Sequence, residues 1–334
     1  MFVGKLLPIR QARHNTSRMA NTGLVLVAPG TDPKVDIVFV HGLRADMEKT
    51  WTRDTVLWPA QLLPKEFPEA RIFLFGYDST IFNLQPGKLA KTEVRSNADD
   101  LCSKLAAERS KEPEAGNRPI VIVAHSLGGL VAAQLFNNGE QSSEDTNARA
   151  IVKNIRGLIF LGTPFRGSVP AGPAEYARRI LKLLGVETQE HTLKLLGVNS
   201  EMINELARTF SNLLNKRRMS KNAEDRISAS FFYETLTTRV TGTLKYIQVV
   251  ENDSAQLPGC GDAIPIRADH HDICKFTSEK DEGYGLIVAE IRKSLAPPDL
   301  DDEGAGGRGT WVYNYGKAVN VGKIQIDSQT NTIN

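Results

Sequence analysis

Two short apolar runs in the chain predict buried strands. Val35–Val40 is apolar apart from Asp36, and Ile120–Val123 is continuous and β-branched. Such runs are typical of strands that are buried on both faces of a parallel sheet. Apolar residues then recur at helical spacing from Leu127 to Phe136. The pattern predicts the α/β class, with a mostly parallel central sheet flanked by helices.

Further strands and a helical segment are predicted downstream. Strand-like runs occur at 245–250 and at 263–266, and amphipathic helical spacing occurs at 173–181 and 201–216. The helical segment lies within an insertion at about 168–239. We expect this insertion to form a helical cap that limits substrate size and excludes water. The alternative is a pair of ordinary surface helices, and a basic amphipathic cap would also suit contact with a membrane surface.

The composition changes near the C-terminus. Residues 296–308 are acidic and rich in turn-forming residues, which predicts a linker. Residues 309–334 then alternate apolar and polar positions, with many Asn and Gln side chains. Such a short segment cannot bury a core alone, so three alternatives stand: stacking with copies of itself as cross-β, a flexible tail, or an edge strand added to the sheet.

Length, charge and cysteine content limit the domain organisation and the classes of partner that the chain can have. The chain has 334 residues, 41% of them hydrophobic, and a net charge of +2, which fits one large domain at 22–295 and argues against nucleic acid as a partner. Residues 1–21 form a basic segment expected to be flexible. No apolar run reaches 18 residues, and the three cysteines show no C-x-x-C spacing. We expect a cytoplasmic protein without metal or cofactor, with peripheral membrane or mitochondrial association as alternatives.

Ser126 stands in the sequence form of a nucleophile elbow. A serine hydroxyl becomes an effective nucleophile when a sharp strand-to-helix turn exposes it beside a histidine base, and this turn needs small residues two positions before and after the serine. Those residues are Ala124 and Gly128. The alternative is a serine that only caps the helix, but a cap does not require small residues on both sides. We therefore predict that Ser126 is a catalytic nucleophile.

Backbone N–H groups near this serine are candidates for an oxyanion hole. The strand at 35–40 runs into His41-Gly42-Leu43. In this kind of hydrolase the loop after that strand supplies one donor, and the residue after the nucleophile supplies the other. Leu43 and Leu127 are the expected donors. His41 precedes the serine, which is the wrong order for a base in this fold, so we interpret it as a structural histidine.

The base and the acid are sought downstream of the serine, in the chain order serine, acid, histidine. The six histidines lie at positions 14, 41, 125, 191, 270 and 271. The pair His270-His271 follows the predicted strand at 263–266, where a base belongs. Glu251 and Asp253 follow the predicted strand at 245–250, and both carboxylates qualify to orient the imidazole. A zinc site on Cys260, His270, His271 and Cys274 fits no common zinc spacing.

With these residues assembled, the chain resembles the lipase-like α/β-hydrolase domain of the serine active site containing protein family, in the form often found in filamentous fungi. The resemblance covers roughly 22–295, and its motifs include His41-Gly42-Leu43, the elbow, 160–167 and 268–276. It implies the α/β-hydrolase fold and His270 as the base, while leaving Glu251 and Asp253 open. Ala45 replaces a glycine of many relatives. The tail loosely resembles fungal amyloid signalling motifs.

The predicted function is that of a serine hydrolase, which cleaves an ester in a lipid or another acyl substrate without a cofactor. The tail resemblance implies an effector in fungal incompatibility or cell death, activated through self-assembly or a receptor template. The alternatives are a non-catalytic interaction protein that uses the hydrolase scaffold, and an acyltransferase that uses the same residues. Fold analogy supports the chemistry rather than the biology.

Overall fold

The computed structural model describes residues 22–296 and two dipeptides in the tail. Within 22–296 it describes all residues except 43–44, 78, 80–90, 113–115, 144–145, 166–189, 241–242, 251, 258 and 261. The predicted segment at 1–21 lies outside the described residues, as does most of the predicted tail.

Seven strands form the central sheet of the described chain. Numbered with the shorter strands in chain order, they are β1 (Gly23–Ala28), β2 (Val35–Val40), β5 (Ala70–Gly76), β6 (Ile120–His125), β7 (Ile155–Leu161), β8 (Ser228–Glu234) and β11 (Ile264–Ile266). Their spatial order is β1-β5-β2-β6-β7-β8-β11. Only the edge strand β1 is antiparallel to its neighbour, and the other adjacent pairs are parallel. The mostly parallel sheet expected from the sequence is present.

Helices cover both faces of the sheet. They are α1 (Trp58–Gln61), α2 (Leu63–Glu66), α3 (Lys91–Arg109), α4 (Leu127–Glu140), α5 (Asn147–Lys153), α6 (Glu190–Arg218), α7 (Asn252–Ala255) and α8 (Glu282–Leu295). Strand β2 shows why both faces need cover, because all six of its residues are buried. Its Val38 and Val40 pack in the core that includes residues of α3 and α4, while Ile37 and Phe39 pack in the core that includes residues of α8.

The insertion and the strand expected at 245–250 differ from the sequence-based expectation. Residues 228–234 lie inside the predicted insertion, yet they form β8, which pairs with β7 and β11 in the central sheet. In the stretch 245–250, only Tyr246–Ile247 forms a strand (β10), which pairs with Thr238–Arg239 (β9) outside that sheet. The strand beside β11 is therefore β8. A further short pair joins Thr52–Arg53 (β3) to Val56–Leu57 (β4).

The chain divides into two units, Met1–Ala296 and Pro297–Asn334. In the second unit, Tyr313–Asn314 (β12) and Lys317–Ala318 (β13) pair in antiparallel fashion. Across the described residues, no helix has both the length and the apolar character that a membrane crossing needs.

Candidate active site

The elbow at Ser126 has the strained backbone that its sequence predicts. Ser126 follows β6 directly and precedes α4, with φ 54° and ψ −125°. Positive φ is uncommon for a residue with a side chain and occurs where the surrounding structure enforces it. Its backbone N–H donates to the Leu161 carbonyl of the neighbouring strand at 2.9 Å. The hydroxyl-bearing residue is thus fixed at the carboxyl edge of the sheet.

Gly128 and Gly42 allow this turn to approach the end of β2 closely. A Cβ on Gly128 would lie 2.3 Å from the carbonyl oxygen of His41, and a Cβ on Gly42 would lie 2.9 Å from Cβ of Ser126. Cβ atoms essentially never make contacts this short, so a side chain at either position would force the neighbouring atoms to move. The small residue expected two positions after the serine has a direct steric reason.

Ser126 and His270 meet in the structure. Nε2 of His270 lies 3.1 Å from Oγ of Ser126, although the residues are far apart in the sequence. Both side chains belong to buried residues. His270 follows β11, and parallel strands bring their carboxyl ends to one edge of the sheet, which explains how the two residues come together. His271 is exposed, and its backbone N–H donates to Asp269 Oδ1.

A carboxylate that the sequence analysis did not single out faces the other side of the imidazole. Oε1 of Glu234 lies 3.4 Å from Nδ1 of His270, and the Glu234 side chain is fully buried. The same oxygen accepts a 2.6 Å hydrogen bond from the Val250 N–H. Glu234 is the last residue of β8, so the central sheet carries it to the edge that also holds Ser126.

Glycine at position 162 leaves room for this carboxylate and imidazole. Gly162 follows β7 with a φ of +56°, and a Cβ there would lie 3.1 Å from Nδ1 of His270 and 3.2 Å from Oε2 of Glu234. Among the described residues, Oε2 of Glu234 and Nδ1 of His270 have no hydrogen-bond partner. The two groups therefore face each other in a buried, closely packed space.

The expected oxyanion donors are only partly described. Leu127 is the first residue of α4, and N–H groups in the first turn of a helix have no acceptor within that helix. The positive end of the helix dipole adds to the attraction for a developing negative charge. Leu43 lies outside the described residues. A helix therefore begins directly after Ser126, and its first backbone N–H belongs to the residue that follows the serine.

His41 is held as a structural residue, as its sequence position indicates. Its Nε2 accepts from the Tyr77 N–H at 3.3 Å, and its Nδ1 lies 2.8 Å from the Gly42 carbonyl, to which it donates. The Tyr77 hydroxyl donates to the His41 carbonyl at 2.8 Å, and the two rings stack. Burial lowers the pKa of His41, which keeps the ring neutral. Both ring nitrogens are thus engaged in shaping the loop.

More than half of the sequence matches a known family. The model of the alpha/beta hydrolase family matches residues 37–227, which is more than half of the chain. The chain belongs to the alpha/beta hydrolase family. The expected fold, with its mostly parallel sheet and flanking helices, is therefore confirmed.

This α/β hydrolase is similar to Protein SERAC1 of several animals. Protein SERAC1 of Bos taurus is 30% identical over 289 residues, covering 80% of this chain and 40% of that protein. Protein SERAC1 of Homo sapiens is 28% identical over 287 residues, with the same two coverages. The chain thus spans about two fifths of the length of these relatives.

Solved structures that are similar to this chain include an esterase and a thioesterase domain. Thermogutta terrifontis esterase 2 has a TM-score of 0.43 and 15% identity, covering 81% of this chain and 88% of its own. The NocB thioesterase domain has a TM-score of 0.39 and 15% identity, covering 82% of this chain and all of its own.

The side chains of the two acids expected from the sequence, Glu251 and Asp253, lie outside what the structure describes. Glu251 lies outside the described residues, and Asp253 lies on the short helix α7, where its side chain is not described. Among the described residues, Glu234 has the carboxylate that faces His270. It lies in the stretch 228–234, which the sequence pattern places in the insertion, ahead of the strand-like run at 245–250. The apolar Phe231-Phe232-Tyr233 ahead of Glu234 is the signal that marks this strand.

Proposed function

We propose that this α/β hydrolase is a serine esterase in which Ser126, His270 and Glu234 form the catalytic triad. The observation that carries the proposal is the 3.1 Å separation of Ser126 Oγ and His270 Nε2, with the buried Glu234 carboxylate on the opposite side of the imidazole. Nucleophile, base and orienting acid are the three parts that acyl transfer at a serine requires.

The proposed reaction has two halves. Ser126 Oγ attacks the ester carbonyl carbon as His270 Nε2 takes the hydroxyl proton, and Glu234 stabilises the imidazolium that forms. The backbone N–H groups of Leu127 and Leu43 are assigned to the oxyanion. Collapse of this intermediate expels the alcohol, which takes the proton from His270. A water molecule, deprotonated by the same imidazole, then releases the acid and restores the Ser126 hydroxyl.

The test is fluorophosphonate labelling together with hydrolysis of p-nitrophenyl esters. The full chain and a chain ending at Leu295 are each compared with their Ser126→Ala variants. We expect both parent chains to be labelled and active, and both variants to be inert. If neither parent is labelled, the esterase proposal fails, and the non-catalytic alternative, in which the scaffold serves only interaction, takes its place.

Acyl transfer to an acceptor other than water uses the same residues. The alternative differs only in the nucleophile that attacks the acyl-enzyme. Product analysis with and without an added small alcohol distinguishes the two, because an acyltransferase forms a new ester in proportion to the acceptor. Formation of free acid at an unchanged rate supports the esterase.

A lipid ester is the proposed substrate class, and the hairpin made by β9 and β10 is the proposed membrane contact. Leu244 and Tyr246 in this hairpin are 85% and 61% exposed. Arg239 pairs with Tyr246 across the hairpin and is also exposed, as is Lys245. No Asp or Glu occurs from 235 to 248. Exposed apolar side chains flanked by cations suit an anionic bilayer surface.

Sedimentation with vesicles tests this contact. Vesicles of phosphatidylcholine alone are compared with vesicles that also contain phosphatidylserine. We expect binding to the anionic vesicles that is weakened in Leu244→Ser and Tyr246→Ser. Leu26→Ser is the matched control. Leu26 is an apolar residue that is 43% exposed, and it lies on β1, the edge strand of the central sheet farthest from β11. Equal binding by all four proteins contradicts the proposed contact.

The tail is proposed to assemble as cross-β and to direct an effector role in incompatibility or cell death. The support for this is the alternation of apolar and polar residues over 309–334. Thioflavin T fluorescence of the full chain, compared with the chain ending at Leu295, tests the assembly. A signal that requires residues 309–334 is expected, and equal signals from the two chains contradict it.

A further inference from the structure

The main chain of His270 is held on both sides by side chains from other parts of the fold. The His270 N–H donates to Oγ1 of Thr238 at 2.9 Å, and the His270 carbonyl lies 2.9 Å from Nε2 of His125. Thr238 is 1% exposed and His125 is 7% exposed. Both hydrogen bonds are therefore shielded from competing water.

The His125 bond has a defined direction. A carbonyl only accepts, so Nε2 of His125 carries the proton and donates it to the His270 carbonyl. This needs a neutral ring with its proton on Nε2. Burial, followed by the charge of the nearby His270, keeps the pKa of His125 well below its ordinary value. A neutral His125 also avoids repulsion with the imidazolium that forms at His270, whose ring centroid is 5.1 Å away.

The two residues that hold His270 lie close in the chain to the other two residues of the proposed triad. His125 is the last residue of β6 and directly precedes Ser126, while Thr238 begins β9 a few residues after Glu234. His270 itself lies in a turn, since β11 has ended at Ile266. Thus the residue beside the nucleophile and a residue near the acid both hold the base.

We propose that His125 and Thr238 are positioning residues that together form a two-point clamp on the backbone of His270. The clamp fixes the distance between Nε2 of His270 and Oγ of Ser126. The inference rests on the proposed esterase function and deepens it. Both hydrogen bonds reach the main chain of His270 rather than its imidazole, so we expect these residues to act on the rate through the position of His270. Displacement of a catalytic group by about 1 Å costs on the order of 10²-fold in rate.

The test compares variants that keep or remove each clamping hydrogen bond at nearly constant shape. Thr238→Val removes the hydroxyl acceptor and Thr238→Ser keeps it. His125→Leu removes the N–H donor, and His125→Gln offers an amide N–H in its place. Steady-state kcat and KM for a p-nitrophenyl ester and the rate of fluorophosphonate labelling are measured on the full chain. Thermal unfolding of each protein is recorded in parallel.

We expect kcat and the labelling rate to fall about 10- to 100-fold in Thr238→Val and His125→Leu, with KM little changed. Thr238→Ser and His125→Gln are expected to recover most of this loss. Thr235→Val is the matched control in the same segment, because the Thr235 hydroxyl donates to the Ile266 carbonyl rather than to His270. This control is expected to keep the parent kcat.

Several outcomes overturn the clamp. Parent-like kcat in both Thr238→Val and His125→Leu excludes it. It is also excluded if Thr238→Ser and His125→Gln lose as much kcat as Thr238→Val and His125→Leu, because such losses would indicate an effect of packing alone. If His125→Leu does not fold, the Thr238 pair decides. If the parent chain shows no labelling that depends on Ser126, the esterase proposal itself fails, and the clamp falls with it. Labelling of the parent without any response to these variants rejects the clamp alone.

Discussion

Oε1 of Glu234 lies 3.4 Å from Nδ1 of His270, and the two side chains are 0% and 4% exposed. At this separation a modest closure makes a direct hydrogen bond, and catalytic hydrogen bonds often tighten when a substrate binds. The buried position favours a strong interaction once the imidazolium forms, because little water competes for either group.

We predict that Glu234→Gln lowers kcat on the order of 10³-fold, because an amide keeps the size of the side chain but not the charge that stabilises the imidazolium. KM is expected to change little. The measurement is steady-state kinetics on a p-nitrophenyl ester, with Ser126→Ala as the inactive reference.

The matched controls are Glu251→Gln and Asp253→Asn, the same kind of change at the two acids that the sequence first indicated. If Glu234 is the acid, both controls keep kcat close to that of the parent. A large loss in one of them, with Glu234→Gln still active, assigns the acid to that residue instead.

Gly162→Ala is predicted to lose both stability and activity. The residue has a φ of +56°, and its Cβ would lie just over 3 Å from His270 and Glu234. A side chain in the left-handed region costs about 1–2 kcal/mol, and the new methyl pushes the imidazole and the carboxylate apart. Urea unfolding and kcat are to be measured on the same preparations.

Gly285→Ala gives the opposite expectation and so serves as the control. Gly285 lies in α8, where an added Cβ meets nothing within 4 Å. Replacing glycine by alanine in a helix stabilises by about 0.5–1 kcal/mol, with no effect on kcat expected. A Gly162→Ala variant with parent activity would show that the space beside His270 is not limiting.

Much of the site could be predicted because its requirements are local. The elbow needs a buried strand, small residues around a serine and a following helix, and all of these are visible between Ile120 and Phe136. His270 was accessible because few histidines follow Ser126 and because its motif resembles a known family. Each inference used neighbouring residues or chain order alone.

Glu234 could not be predicted in this way because its role depends on which strands pair. Residues 228–230 are Ser-Ala-Ser, and strand β8 ends in a charged residue, so the pattern of a doubly buried strand is weak. The run at 245–250 is more apolar, yet it contributes only a short hairpin strand. The identity of the strand beside β11 is a tertiary property, and it decides which carboxylate reaches His270.

A further prediction concerns Asp36, which lies at the amino ends of the parallel strands, away from Ser126. It is fully buried near the start of β2, and its carboxylate accepts from Arg71 Nε at 2.8 Å and from Arg109 Nη1 at 2.5 Å. Arg118 Nη1 lies 3.4 Å away. Asp36→Asn is expected to lower the free energy of unfolding by about 3–5 kcal/mol, because three buried guanidinium groups lose a shared buried counter-charge and only the partly exposed Glu112 still pairs with Arg71 and Arg118.

The measurement for Asp36→Asn is urea unfolding, with kcat of the folded fraction as a second readout. Glu279→Gln is the control, because its pair with Lys65 is exposed and such pairs contribute at most about 1 kcal/mol. Asp36 lies at the amino ends of the strands, away from Ser126, so kcat per folded molecule is expected to stay constant. A stability equal to that of the parent would contradict the importance of this cluster.

The lowered pKa of His125 leads to a prediction of how the stability of the fold depends on pH. Its pKa in the folded protein lies well below the ordinary value, chiefly because of burial and then because of the nearby His270, His271 and Lys275. The unfolded chain therefore binds more protons than the folded chain once the pH falls below about 6.5. Stability from a neutral His125 is fully present above that pH and is lost as the pH falls toward the folded pKa. Each such histidine contributes a slope of at most about 1.4 kcal/mol per pH unit.

Urea unfolding at pH 7.5 and 5.5 measures this slope in the parent and in His125→Gln. Because glutamine does not titrate, we expect the variant to lose less stability on acidification than the parent does. His271→Gln is the comparison, since partial burial lowers the pKa of His271 as well, but less than full burial lowers that of His125. Its slope should therefore remain nearer to that of the parent. Identical slopes in the parent and in His125→Gln would mean that His125 binds its proton equally in the folded and unfolded chains, which is incompatible with a neutral ring donating to the His270 carbonyl across this pH range.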